Sequence, residues 1–373
     1  MNNKVNVCRI GLYCSSSSWG GLEKNIVELG IQLKEMGFSV SVFCLENSNI
    51  HNYAKENEIN TQIIKRNWRY ADVFNAYKLS RIISELKISH LIIRDPRDIS
   101  LACISKFLSG KFFLIYYQAM QLASSKKGLF HRIRFSQLNN WICTSHFLKN
   151  QTLQLTSVKE NKISVIPLFS NKKEFYSTKM EILTEFNLSS NANYIGCFGR
   201  IDVKKNQLLL LQAFNSIHKK FPTWKILLVG NTTQNEGVDY QLEIVKFAEN
   251  LELQDKIIFK DYTSRIHELY RTLAIFVLPS HSETFGTVTI EAMSHGIPVL
   301  GSNTGATPEI LQNKNCLFDP TNSTDLASKL SELMESETIR NTIGNQNLLK
   351  YELHYSKSLF QTNWLKTLKN FEC

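Results

Sequence analysis

Short apolar, β-branched runs alternate with stretches of helical period along the whole chain. In the first half these runs predict strands over Val5–Tyr13, Ser39–Leu45, Thr61–Ile64, His90–Ile93, Lys111–Tyr117, Trp141–Thr144 and Ile163–Pro167. In the second half they predict Tyr194–Phe198, Lys225–Val229, Ile257–Phe259, Ile275–Leu278, Pro298–Gly301 and Cys316–Phe318. The clearest helix runs from Leu22 to Met36, with Leu22, Ile26, Leu29, Leu33 and Met36 on one face and Gly37 as its stop. Continuous apolar strands separated by helices mean parallel sheets covered on both faces. Two such series predict an α/β protein of two doubly wound, Rossmann-like domains. The boundary falls after Pro167, in the polar stretch Ser170–Ser177. The expected domains are residues 1–170 and 171–356, with a last helix, about 357–373, that packs back on the first. In open parallel sheets ligands lie beyond the carboxyl ends of the strands. Two domains can turn those crevices toward each other across a cleft, so the loops after each strand are where chemistry is expected.

Composition sharpens this picture in three places. The chain has 373 residues and a net charge of +10, and the window from Lys65 to Arg134 holds fourteen Lys and Arg against four Asp and Glu. That window suits an acidic partner: anionic lipid, a phosphorylated substrate or nucleic acid. No run reaches the ~18 apolar residues of a membrane-spanning helix. Val7–Tyr13, broken by Arg9, reads as a first strand rather than a leader. The expected location is the cytoplasm, or peripherally on the inner face of the cell membrane. The eight cysteines form no Cys-x-x-Cys pair and lie mostly inside apolar runs, which predicts free buried thiols.

Four loops carry candidate chemistry. After Tyr194–Phe198 come Gly199, Arg200, Asp202, Lys204, Lys205 and Asn206, then a helix from near Gln207. A cation at a helix start opposes the helix dipole, and an anion between Arg200, Lys205 and the helix amides reverses that cost. A solvated Lys beside a surface Arg explains the same residues. After Ile275–Leu278 the chain reads Pro279-Ser280-His281-Ser282-Glu283-Thr284-Phe285-Gly286, and a helix from Thr287 carries Glu291. The amides of Gly286 and Thr287 can meet a phosphate, and each Glu can accept from a sugar or ribose diol. Glu291 is equally explained as an acid near a helix start. A third loop, Ser302–Glu309, reads as a turn into a helix capped at Thr307 with Pro308 first. In the first half, Ser15–Ser18, Trp19, Gly20 and Gly21 precede a helix, without the dinucleotide spacing of glycines.

Together these segments resemble the retaining glycosyltransferases of family 4 (glycosyl transferases group 1), which have the GT-B fold. The stretch from His267 to Pro320 carries the strongest likeness, including Glu283 and Glu291 with seven residues between them. "FGRIDVKKN" and "GGLEKN" resemble two further family segments. The resemblance implies that Arg200 and Lys205 hold the donor diphosphate and that Glu283 binds the transferred sugar. It implies that Thr284, Phe285, Gly286 and Thr287 contact sugar and phosphate, and that Glu291 holds the ribose. It implies, too, that Gly20 and Gly21 approach the diphosphate or the acceptor. Transfer with retention, from a UDP- or GDP-sugar to a glycan or lipid-linked acceptor in surface polysaccharide assembly, follows from the resemblance alone.

Many relatives place a His after the fifth strand; here the loop reads Tyr116-Tyr117-Gln118-Ala119-Met120, so that role is vacant or passes to Gln118. No Asp-x-Asp pair occurs, so transfer is expected without metal, and no cofactor is expected beyond the nucleotide sugar. Lys126, Lys127, Arg132 and Arg134 alternate with Leu129, Phe130, Ile133 and Phe135, which suits either an anionic membrane with Lys126 and Lys127 on the acceptor side, or a helix with its apolar residues in the core. Nucleic acid is not the expected partner, since no binding motif accompanies the charge. A nucleotide-sugar epimerase and a non-catalytic nucleotide-sugar-binding subunit stay open as alternatives.

Overall fold

The computed structural model describes residues 8–66, 68, 72–171, 177–232 and 237–369. The first residues of the strand expected from Val5, most of the Ser170–Ser177 stretch and the chain's last four residues lie outside them. Contacts group the residues up to Pro167 with those from Phe360 onward, and Leu168–Leu359 form a second unit.

The first unit alternates β1 (Arg9–Tyr13), α1 (Gly21–Glu35), β2 (Ser39–Leu45), α2 (Asn49–Glu56), β3 (Asn60–Ile64), α3 (Val73–Glu85), β4 (His90–Ile93), α4 (Ile99–Ser109), β5 (Phe113–Gln118), α5 (Leu129–Ser136), β6 (Asn140–Cys143), α6 (His146–Leu155) and β7 (Ile163–Val165). Its strands are all parallel, in the order β3-β2-β1-β4-β5-β6-β7. Strand order reverses between β1 and β4, which opens a crevice at their carboxyl ends. The uninterrupted apolar runs have their predicted cause: all four residues of β4 and of β6 are buried. Trp141 of β6 anchors the core, edge-on to Tyr116 at 4.9 Å and to Phe135 at 5.0 Å.

The second unit continues with α7 (Lys179–Glu185), β8 (Asn193–Phe198), α8 (Gln207–Ile217), β9 (Trp224–Val229), α9 (Gly237–Asn250), β10 (Ile257–Lys260), α10 (Ile266–Tyr270), β11 (Leu273–Leu278), α11 (Thr287–Ser294), β12 (Val299–Ser302), α12 (Thr307–Leu311), β13 (Leu317–Phe318), α13 (Ser323–Glu335) and α14 (Glu337–His354). Its parallel sheet runs β10-β9-β8-β11-β12-β13, with the reversal between β8 and β11. The first residue of β12 is Val299 rather than Pro298, since proline has no N–H to give a ladder.

The last helix, α15 (Lys357–Lys369), begins at the end of the second unit and finishes in the first. There Trp364 is fully buried, edge-on to Tyr117 at 5.2 Å, and Gln361 donates to Gln32 of α1 at 2.9 Å. Six cysteines are free and buried, as their apolar settings predict; Cys8 instead takes part in a disulfide.

Candidate active site

The reversal in the second unit brings the loops after β8 and β11 side by side. After β8 the chain makes one 3-10 turn, Val203–Lys205, whose start is capped by Asp202 accepting from the Lys205 N–H at 3.1 Å. Lys205 therefore precedes α8 and does not sit in its first turn. Asn206 follows in the left-handed conformation, at φ 57°. Its amide donates to Pro279 O at 3.2 Å and to Pro320 O at 2.9 Å, tying three strand-end loops together. Gln207 closes the turn by donating to Arg200 O at 2.8 Å.

From this frame Lys205 reaches the neighbouring loop. Its ammonium lies 2.5 Å from Oε1 of Glu283, with the two side chains 22% and 14% exposed. Arg200 points more to solvent, 3.7 Å from the Asp202 carboxylate. The Glu283 loop is pinned from both sides: His281 N–H donates to Lys204 O at 3.0 Å and Ala306 N–H to Glu283 O at 2.9 Å. A glycine from the loop after a flanking strand closes on each arm. Gly305, at φ +62°, sits so close that a Cβ there would lie 2.4 Å from Glu283 O and 2.7 Å from Glu283 N. Gly230, at φ +146°, leaves only 2.0 Å between such a Cβ and Gly199 O. Backbone at those distances cannot yield without moving the loop that carries Arg200 or Glu283.

Gly286 heads α11 and no side chain caps it, which leaves the first helix amides toward the crevice. Thr284 and Thr287 are half-buried, and Phe285 is buried edge-on to Tyr355. In the second turn, Glu291 accepts at Oε2 from the hydroxyl of Tyr270, 3.0 Å away. Tyr270 is fully buried and its ring stacks on His295 at 5.6 Å, while His295 Nε2 meets His267 Nδ1 at 3.2 Å. Burial, then the adjacent Glu291 carboxylate, push the phenol well above its ordinary pKa, so it stays a donor. Sequence reading passed over Tyr270 because a tyrosine between apolar residues reads as core. The usable signal is that a buried tyrosine needs a partner for its hydroxyl. The third loop differs from expectation in one respect: Ala306 occupies the cap, and Thr307 starts α12 with its hydroxyl buried and unpaired.

In the first unit, Gly20 and Gly21 head α1 with no side-chain cap. The crevice between β1 and β4 is filled by its own side chains. Ser15 bonds Asp98 through both N–H and hydroxyl, Ser16 Oγ donates to Glu23, and the buried Arg94 donates to Leu22 O while lying 4.1 Å over the Tyr117 ring. Cys14, Asp95 and Asp98 form the one grouping among the described residues with metal-ligand proximity. Their carboxylates are already engaged, Asp98 by Ser15 and Asp95 by a bidentate Arg97.

Gln118, the residue at the end of β5, faces inward. It is fully buried, its carbonyl accepts from Trp141 Nε1 at 2.8 Å and Thr152 Oγ1 at 2.9 Å, and its amide donates to Met120 O at 2.9 Å. A strand-end glutamine turned inward in this way holds β5, β6 and α6 together. Lys126 is half-buried and bonds Ser124, and Lys127 is exposed. Of the interleaved apolar residues, Leu129, Phe130 and Ile133 are exposed and only Phe135 is in the core, so the core reading of that segment holds for one residue of four.

Comparison with known proteins follows the same division. Residues 179–348 match the family model for glycosyl transferases group 1, and residues 19–171 match that for Glycosyltransferase Family 4. The chain belongs to this glycosyltransferase family. It is 26% identical over 356 residues to the N-acetyl-alpha-D-glucosaminyl L-malate synthase of Bacillus anthracis, covering 91% of this chain and 90% of that one. It is 25% identical over 256 residues to the capsular polysaccharide biosynthesis glycosyltransferase CapM of Staphylococcus aureus, covering 67% of this chain but 63% of that relative, under two thirds of its length. Two solved structures share the fold: a glycosyltransferase from Rickettsia africae (TM-score 0.87, 20% identity, 98% and 99% of the two chains) and Anabaena HepE in complex with UDP (TM-score 0.85, 18% identity, 97% and 100%). No helix among the described residues is long and apolar enough to cross a membrane.

Proposed function

We propose that this glycosyltransferase moves a sugar from a UDP- or GDP-sugar to a hydroxyl of a glycan or lipid-linked acceptor in surface polysaccharide assembly, with retention and without metal. The observation that carries the reading is the Lys205–Glu283 contact at the strand-order reversal, with Glu291 on the helix that the same loop opens. The C1–O bond to the diphosphate breaks, a C1–O bond to the acceptor forms, and the acceptor proton passes to the departing phosphate. Lys205, with Arg200 beside it, meets the charge that grows on that phosphate. Uncapped amides at Gly286 and Thr287 add to it. Glu283 orients the sugar and Glu291 the ribose. UDP is the first nucleotide to try, since HepE is described in complex with UDP and with UDP-glucose. The same reading puts the enzyme at the cytoplasmic face of an anionic membrane, reached through the basic segment of Lys126 and Lys127.

A thermal-shift panel of UDP, GDP, ADP and their common sugars, on wild type and Glu291→Ala, tests it. Ligand at a hundred times its dissociation constant raises stability by about 2.7 kcal/mol. A shift with UDP or GDP that Glu291→Ala loses is expected. No shift with any nucleotide would remove the assignment.

A further inference from the structure

Exposed apolar side chains in the first unit gather at two places on one edge. One group is Trp68, Val73 and Phe74; the other is Met120, Leu129 and Phe130. Trp68 and Leu129 are 80% and 72% exposed. Single exposed hydrophobes are ordinary, but clustered ones with a common setting mark an interaction surface.

The setting is common because of topology. A helix that joins parallel strands runs back along the sheet, so its first turn lies at the edge where the preceding strand ended. Val73 and Phe74 open α3, which follows β3; Leu129 and Phe130 open α5, which follows β5. Trp68 and Met120 lie in the loops just before those helices. Both helices flank α4 on the same side of the sheet: Ser105 of α4 donates to Ala76 O of α3, and Arg134 of α5 donates to Ser100 of α4. The two groups are therefore two points on one rim, at the carboxyl edge that also carries Gly20 and Gly21.

Cations accompany each group. Lys65 and Arg66 are exposed ahead of α3, and Lys78 lies 4.0 Å over the Phe74 ring. Lys127 and Arg132 are exposed at α5. The four acids of the Lys65–Arg134 window are engaged locally, while Glu46, just after β2 on the same edge, is exposed. Asp72 caps α3 by accepting from Asn75, Glu85 pairs with Arg81, Asp95 with Arg97, and Asp98 is buried against Ser15. The rim thus presents apolar tips among an excess of cations, which fits an anionic lipid surface: cations at lipid phosphates, apolar tips at the boundary between headgroups and chains.

We infer that the openings of α3 and α5 form a two-point membrane-docking rim. The α5 point rests on the membrane reading above; the α3 point, with Trp68 and Phe74, goes beyond it.

The test is flotation of the full chain with vesicles of phosphatidylglycerol and phosphatidylcholine, against phosphatidylcholine alone. The variants are Trp68→Ser with Phe74→Ser, and Leu129→Ser with Phe130→Ser. The control is Phe107→Ser with Leu108→Ser, equally exposed but at the far end of α4, on the opposite edge. Wild type and control should bind the anionic vesicles alike and the neutral ones weakly. Each rim pair should lower binding at least tenfold, with the melting temperature unchanged. Brominated lipid chains should quench wild type more than Trp68→Phe. Binding untouched by the α3 pair, an equal loss in the control, or absence of Trp68 quenching would overturn the two-point rim. No binding of wild type to anionic vesicles would overturn the membrane reading as well, while nucleotide shifts would leave the transferase reading standing. Self-association in the absence of lipid that both rim pairs abolish would assign the rim to a second copy of the chain and overturn the proposal.

Discussion

The Lys205 ammonium and the Glu283 carboxylate meet at 2.5 Å although 78 residues separate them in the chain. They meet because β8 and β11 are neighbours where strand order reverses. The contact uses one of three ammonium protons and one carboxylate oxygen, so each partner keeps capacity for a ligand.

Two residues that act as one unit give non-additive losses. Lys205→Ala and Glu283→Gln should each lower transfer by about 10²–10³-fold, the range for losing one electrostatic contact of a transition state. The double variant should fall little further. Initial rates of the four proteins measure this; a double variant that multiplies the single losses would show the pair is not coupled.

Tyr270→Phe removes one hydroxyl and keeps the ring on His295. A hydrogen bond to a charged group contributes about 1.5–3 kcal/mol, and Glu291 without it has a freer carboxylate. Titration calorimetry should show UDP binding weakened about tenfold or more, and the preference for UDP over 2′-deoxy-UDP reduced with it. Because burial and Glu291 raise the phenol well above its ordinary pKa, the difference should be the same at pH 7 and pH 9. Unchanged discrimination between the two nucleotides would separate Tyr270 from ribose binding.

Gly305→Ala puts a methyl group 2.4 Å from Glu283 O. The loop must shift, and misplacement of a reacting group by about 1 Å can cost 10²-fold in rate. The variant should keep its thermal shift with the bare nucleotide and lose both transfer and the extra shift given by the nucleotide sugar. Wild-type transfer would mean the loop absorbs the methyl without moving Glu283.

Asn206 separates backbone from side-chain effects. Asn206→Gly keeps the left-handed turn but loses the bonds to Pro279 O and Pro320 O, a cost of about 1–2 kcal/mol. Asn206→Ala adds the left-handed penalty of about 1–2 kcal/mol. Urea midpoints should rank wild type, Gly, then Ala; a glycine variant as stable as wild type would leave those two bonds without a role.

Transfer should be unaffected by a chelator, since cations and helix amides are proposed to balance the diphosphate. Activity lost in EDTA and restored by Mg²⁺ would reverse that proposal.

The two sheets are legible in the sequence because strands buried on both faces leave unbroken apolar runs such as Leu91–Ile93 and Ile275–Leu278. Local loop chemistry is legible for the same reason that short motifs are: Glu283, Gly286 and Glu291 lie within one segment. What crosses between segments is not. The Lys205–Glu283 contact depends on strand order, Gly305 acts on a loop two elements earlier, and Tyr270 serves a residue 21 positions away. The inward turn of Gln118 is not legible either, because the end of a strand can turn a side chain inward or outward and composition does not say which. The α5 residues were undecided because the same period describes a helix facing the core and one facing lipid.

The placement of α15 orders events at the ribosome. Trp364 fills the space beside Tyr117, in a unit whose other residues end at Pro167. The second unit, Leu168–Leu359, is wholly synthesised before Trp364 exists. The half of the protein made first is thus completed last, and a fragment stopped at Pro167 would leave the nascent core open where that indole belongs.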